Sequence, residues 1–243
     1  MDELRKGFHH ELDDIRQEVA RLAAMVIEAV PRSTAALLSG DLAGAEALIG
    51  GDDEIDARSI EIEERCYQLL ALQAPVAGDL RQVVSVVKMV AEIERSADLT
   101  VNICKAARRI YGHTLDPRLR GLLQQMGEQA QQLFAAALES FEQNDPVKAA
   151  ALDDMDGFLD GLQKEMVQAI LIAHAAGKID IQVGIQLAVV ARFYERIGDH
   201  AVNIGERVRY LVTGWLPEHK GAARFLSGSR DDTDGIPFVD PPK

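Results

Sequence analysis

The chain has 243 residues, of which 47% are apolar, so it can bury the core of one large domain or two small ones. Twenty-six Lys and Arg residues against 39 Asp and Glu residues give a net charge of −13, which argues against a protein that binds the phosphate backbone of nucleic acids. Aromatic residues make up only 5%, and Ala, Leu, Glu and Gln are abundant, so an all-β fold is strongly disfavoured.

Three features of the sequence bear on its compartment. Cys66 and Cys104 each lie inside an apolar helical pattern, which favours free thiols in a reducing cytoplasm over a disulfide framework. The first residues are charged and lack the apolar stretch of a signal peptide. There is no run of about 18 apolar residues, so we expect no membrane span and a cytoplasmic protein.

Turn-forming residues divide the chain into six predicted helices. Asp residues stand at most of the predicted starts, two of them directly before a Pro at the first helical position, and Gly or Asn stands at most of the ends. The predicted helices are Asp2–Leu38, Asp41–Leu72, Asp79–Ile110, Asp116–Asn144, Asp145–Ala176 and Asp180–Thr213. Gly50-Gly51 is expected to loosen the second. Residues 215–243 lack apolar periodicity and are expected to form a mobile tail.

The second half of the chain repeats the first. When Asp41 is placed on Asp145, other polar residues coincide, and the offset changes only in the loop before the last helix of each half. The coinciding pairs include Asp52 and Asp156, Asp56 and Asp160, Glu94 and Glu195, Arg95 and Arg196, Asp98 and Asp199, and Asn102 and Asn203. We therefore predict an all-α fold of two tandem three-helix bundles with long antiparallel helices, residues 1–112 and 113–214.

Carboxylates recur on faces that the apolar pattern directs toward the core. Glu94 and Asp98 lie one helical turn apart and in line with Leu80, Val84 and Ala91. The other acid pairs with this property are Asp52 and Asp56, Asp156 and Asp160, and Glu195 and Asp199. Each half is thus predicted to bring two acid pairs together from two packed helices.

Like charges at this spacing destabilise a helix, and burial increases the cost unless the acids are protonated, paired or bound to metal. Four carboxylates converging from two helices provide the oxygen ligands that hard or borderline divalent or trivalent cations prefer. Two other interpretations stay open: acids on a solvated surface, and an Arg–Asp network that fixes helix register. In that network Arg95 and Arg196 would each neutralise one acid.

The sequence gives little sign of an enzyme. The Glu-x-x-His pattern of di-iron oxidases, a Gly-rich phosphate loop, Gly-x-Ser-x-Gly and His-Glu-x-x-His are all missing, so we assign no catalytic residue. A multinuclear hydrolase or oxidase that uses the same acids, and a purely structural helical protein, remain alternatives.

Three motifs carry a resemblance to a known family. The segment ERIGDHAVNI at 195–204, its weaker copy ERSADLTVNI at 94–103 and QAPVAGDLR at 73–81 together resemble the PhoU family of bacterial regulators of phosphate transport and signalling. The resemblance covers about residues 1–212 and implies the two-bundle fold and a homodimer. It also implies iron or zinc at the acid pairs, with manganese or magnesium as further candidates.

The resemblance also implies a function and partners. The protein would be a cytoplasmic adaptor, peripheral to the inner membrane, that restrains the ATPase subunit of the phosphate ABC transporter and keeps the phosphate sensor kinase off when phosphate is plentiful. Arg95, Arg196, Asn102 and Asn203 would orient the acids or contact a partner. The first copy departs from the second because Ser96-Ala97 replaces Ile197-Gly198, so the resemblance does not imply equal metal occupancy of the two halves.

Overall fold

The computed structural model describes residues 2–215, and within them the chain forms seven α-helices and no strand. The helices are α1 (Asp2–Ser39), α2 (Leu42–Gly50), α3 (Asp52–Gln73), α4 (Ala77–Arg109), α5 (Pro117–Gln143), α6 (Pro146–Ala175) and α7 (Ile181–Thr213). The all-α prediction is confirmed. The expected mobile tail, apart from Trp215, lies outside the described residues.

The second predicted helix is two helices in the structure. Asp41 caps α2 by accepting a hydrogen bond from the Gly44 backbone N–H at 2.9 Å, as expected of an N-cap Asp. Gly51 then ends α2 and precedes α3 with no side-chain cap. Three acids in the first turn of α3 face its positive dipole end, and Asp52 is the first of them.

The other predicted helix starts are confirmed with one exception. Asp116, Asp145 and Asp180 each cap a helix by accepting from backbone N–H groups of the first turn. The exception is α4, which begins at Ala77 after the N-cap residue Val76, so Asp79 lies inside its first turn instead of capping it. Carboxylates in a first turn still stabilise the helix through its dipole.

Each half packs three long helices together, and the two halves share one core. Helix α1 packs against α3 and α4 in the first half, and α5, α6 and α7 pack together in the second. The halves are joined where α4 packs along α7 and α1 along α5. One large cluster of buried apolar side chains runs through both halves. Both cysteines are buried free thiols.

Helix α1 also bears on the expectation that nothing spans a membrane. Its segment Lys6–Ser39 is long and apolar enough to cross a membrane by length and composition, with a mean hydropathy of 1.3 in its most apolar stretch. Half of that stretch is buried inside the fold, and Ile15, Val19, Leu22 and Val26 have no exposed surface. A buried core helix meets the same criterion, so its apolar character has an explanation in the core.

Candidate functional site

The first acid site lies between α3 and α4, and we call Asp52, Asp56, Glu94 and Asp98 the α3–α4 acid cluster. Asp52 and Glu94 are half-buried, while Asp56 and Asp98 are exposed. Burial raises the pKa of Asp52, and the charges of Asp56 and Asp98 raise it further, against an opposing effect of Lys105. The pKa of Glu94 is raised by burial and then by the same neighbouring carboxylates. The charges of these four carboxylates therefore act on one another across α3 and α4.

The second acid site lies between α6 and α7, and we call Asp156, Asp160, Glu195 and Asp199 the α6–α7 acid cluster. Burial raises the pKa of Asp156 to about 6, with further contributions from Asp160 and Asp199. The pKa of Asp199 is also raised by burial, although the positive charge of Arg192 opposes the rise. These raised pKa values show that three of the four acids share one electrostatic environment.

Glu195 is the most buried member of the α6–α7 acid cluster, at 8% exposed. Its Oε1 accepts a hydrogen bond from Arg192, one turn earlier on α7, whereas its Oε2 is buried with no partner. Asp156 Oδ1 is likewise buried and without a partner. A buried carboxylate oxygen without a donor is costly, and a bound cation would offset that cost.

Gly198 allows α7 to approach this cluster closely. A Cβ at this position would clash with Asp156 Oδ1 and would lie 2.8 Å from Leu159 Cδ2 on α6. The repeat-related residue in α4 is Ala97, which already carries a Cβ. The two acid clusters therefore differ at this position, where the sequences of the two repeats also differ.

The predicted core-directed faces lie at the edge of the core. Leu80 and Val84 are 40% and 38% exposed, and Ile181 and Ile185 on α7 are also exposed. The prediction that these four apolar residues point into the core is therefore wrong, whereas Glu195, farther along the face of α7, is buried. Helical periodicity identifies a shared face, but the packing of neighbouring helices decides how deeply that face is buried. Each acid cluster lies where an exposed apolar strip reaches the flank of the bundle.

The predicted neighbours of the acids have mixed roles. Arg95 lies 3.6 Å from Glu92 on its own helix, and its charge also lowers the pKa of Glu94. Arg196 is exposed, and its charge lowers the pKa of Asp199 less than that of Arg192 does. Arg192 was not among the predicted site residues, although its spacing of three residues before Glu195 is an available signal. Asn102 is half-buried.

A buried polar link between the two halves also escaped the sequence analysis. His200, 7% exposed, places Nδ1 2.6 Å from Glu92 Oε2, and Asn203 Nδ2 donates to the same oxygen at 3.0 Å. Burial opposes ionisation of Glu92, but the hydrogen bonds from His200 and Asn203 outweigh it and lower its pKa. The link joins α4 to α7 within two residues of both acid clusters. Its partners are too distant in sequence for helical spacing to reveal them.

The donor chemistry of both clusters fits a hard cation, since carboxylate oxygens are the ligands that such ions prefer. Among the residues that the structure describes, no three His, Cys, Asp or Glu side chains are already arranged to hold a metal ion. Metal binding would thus require carboxylate side chains to change rotamer around the ion. The clusters supply the negative charge and the oxygen ligands, and the carboxylates would adopt the coordination geometry only around a bound cation.

The fold and the acid clusters define a class of all-helical proteins built from a duplicated bundle. Two segments, 19–107 and 123–208, each match the PhoU domain. The chain belongs to the PhoU family. The two matches correspond to the two halves of the internal repeat.

Known relatives agree with this assignment. The chain is 35% identical over 216 residues to the phosphate-specific transport system accessory protein PhoU homolog 1 of Mycobacterium leprae, covering 88% of this chain and 96% of the relative. It is 35% identical over 215 residues to PhoU homolog 2 of Mycobacterium tuberculosis, covering 88% of this chain and 100% of the relative. A crystal structure of PhoU from Pseudomonas aeruginosa is 30% identical, with a TM-score of 0.80 over 86% of this chain and 100% of that one.

Proposed function

We propose that this protein is a regulator of phosphate uptake and phosphate-starvation signalling that acts by binding other proteins and not by catalysis. Its membership of the PhoU family supports this, because the relatives are named accessory proteins of a phosphate-specific transport system. In this proposal the protein is cytoplasmic, forms a homodimer and restrains the ATPase subunit of the phosphate transporter. It also holds the phosphate sensor kinase in its non-signalling state.

The observation that carries the structural part of the proposal is the pair of acid clusters. Their members raise one another's pKa values, and two carboxylate oxygens of the α6–α7 cluster are buried without a partner. A cation bound at each cluster would neutralise these charges and cross-link two helices, which would fix the surface around the cluster for a partner. Iron and zinc are the first candidates, followed by manganese and magnesium.

Elemental analysis of the purified full chain tests metal binding. We expect bound metal in the wild-type protein and less metal in a variant that combines Glu195→Ala and Asp199→Ala. A matched control is Asp154→Asn, an exposed acid on α6 outside the cluster. Wild-type protein that takes up none of the four metals would show that the acids act without a cation.

Deletion of the gene tests the regulatory proposal. We expect phosphate-starvation genes to be expressed in excess phosphate, because the restraint on the kinase would be lost. Recovery of the transporter ATPase subunit with the tagged protein from native membranes would identify the partner. An unchanged reporter in a deletion strain without a second copy of the gene would contradict the proposal, and turnover assays would then test a metalloenzyme.

A further inference from the structure

The groove between α3 and α4, which we call the α3–α4 groove, has features of a peptide-binding surface. It encloses about 310 Å³, and its walls carry the side chain of Ile60, the carboxylates of Asp56, Glu63 and Glu94, and one cation, Arg95. Ile60 is 58% exposed. With three acids and one cation, the groove therefore offers a net negative charge beside an apolar surface.

Ser59 adds an independent sign that the groove accepts a ligand. The residue lines the groove, is only 6% exposed, and its Oγ is buried without a hydrogen-bond partner. A hydroxyl in this state usually has a partner in a native protein. A polar group of a bound segment would supply one.

An exposed apolar strip leads into the groove from the start of α4. Leu80 and Val84 lie in line with Ala91, which forms part of the groove wall. The end of α7 lies beside the same start: a Cβ at Gly214 would be 3.6 Å from the guanidinium carbon of Arg81. The described part of the chain therefore ends close to where the apolar strip begins.

The segment Lys220–Leu226, beyond the described residues, has a sequence complementary to the groove. It reads KGAARFL, with two cations, no acid, and an aromatic residue followed by Leu. The path along α4 from Arg81 to Ala91 is about 15 Å at the helical rise. The ten residues from Gly214 to Arg224 span up to about 33 Å when extended, so the segment reaches the groove with slack.

We propose that Lys220–Leu226 docks in the α3–α4 groove of the same chain. Arg224 pairs with the groove carboxylates, and Phe225 packs on the apolar wall at Ile60. The docked segment covers Asp56 and Glu94, two members of the α3–α4 acid cluster. The match to the M. tuberculosis relative takes in 215 residues of this chain and the whole of that relative, so a stretch about as long as 216–243 has no counterpart there. This docking goes beyond the proposed function.

Carbodiimide cross-linking of the full chain, read by mass spectrometry, tests the docking. The reagent joins the Lys220 amine directly to a neighbouring carboxylate, so we expect links from Lys220 to Asp56, Glu63 or Glu94. Arg224→Glu and Phe225→Ser should each lower the yield of these links several-fold. The matched control Arg230→Glu changes a charge outside the segment and should leave the yield unchanged.

Both test substitutions lie in the segment itself, so we expect them to leave the folding of residues 2–215 unchanged. Links from Lys220 spread over carboxylates elsewhere on the surface would overturn the proposal, as would equal yields in Arg224→Glu and Arg230→Glu. A mixture of isotopically light and heavy chains distinguishes docking within one chain from docking between chains. Links that join light to heavy chains would show that the segment binds a second copy instead.

Discussion

At the scale of single residues, Asp156 is the carboxylate on which burial and like charge act together most strongly. Its pKa is raised to about 6 from an ordinary value of 3.8. Protonation of Asp156 therefore stabilises the folded protein when no metal is bound. The free energy of unfolding then increases as the pH falls from 6 toward 4. Because much of the side chain is reached by solvent, screening leaves an effect of about 1 kcal/mol, not the larger figure that the full shift implies.

We expect Asp156→Asn to stabilise the metal-free protein at pH 7.5 and to make no difference at pH 4.5. The thermal midpoint should rise by about 2–4 °C at the higher pH, measured in the presence of a chelator. Asp154→Asn is the control and should leave the midpoint unchanged at both values. A lower midpoint for Asp156→Asn at pH 7.5 would show that the carboxylate is satisfied by protein groups.

Single-residue reasoning from the sequence identified the members of both acid clusters but not their depth of burial. Like charges one turn apart, repeated in both halves, are visible in the sequence because the helical period is fixed. The orphaned oxygens of Asp156 and Glu195 depend on neighbours from other helices and on the Arg192 rotamer. The neighbours on other helices lie far away in the sequence, so local sequence patterns do not predict these contacts.

At the scale of helices, the absence of a side chain at Gly198 leaves room for Asp156 and Leu159 of α6 against α7. We expect Gly198→Ala to destabilise the protein by about 1–2 kcal/mol, since overpacking outweighs the gain in helix propensity. Gly161→Ala on α6 is the matched control, because no atom lies within 4 Å of its added Cβ, and it should be neutral or stabilising. Urea unfolding of the two variants measures the difference. Equal stabilities would show that α6 moves away at no cost.

The link between Glu92 and His200 makes a second prediction at this scale. The repeat-related positions hold Phe193 and Leu99, an apolar pair. Glu92→Phe or His200→Leu alone should each cost about 1–3 kcal/mol, because the remaining partner is buried without its hydrogen bond. The double variant should recover most of that loss, with a coupling of about 1–3 kcal/mol in a double-mutant cycle of urea unfolding. Additive effects would show that the two side chains act independently.

Helix starts were predictable wherever an Asp accepts from the backbone of its own first turn, as at Asp145, since that contact is local. The division of the second predicted helix at Gly51 was only partly predictable, because two glycines weaken a helix without fixing whether it breaks. The contact between His200 and Glu92 was not predictable, since it requires the packing of α4 on α7.

At the scale of the whole molecule, one shared core carries two acid clusters on two related halves. The internal repeat and the motifs at 94–103 and 195–204 were sufficient to predict this architecture, since both depend on residue identity alone. In the proposed function, the regulatory activity depends on these clusters and their surroundings. Repression of the phosphate-starvation genes would then depend on a small number of named carboxylates.

Complementation of a gene-deletion strain that carries a phosphate-starvation reporter tests this claim most directly. In excess phosphate the wild-type gene should restore repression, while a variant with Asp52, Asp98, Asp156 and Asp199 changed to Asn should leave the reporter on at equal protein levels. A control variant with the exposed acids Asp53 and Asp154 changed to Asn should repress like the wild type. Full repression by the four-acid variant would contradict the account, because regulation would then not depend on the acid clusters.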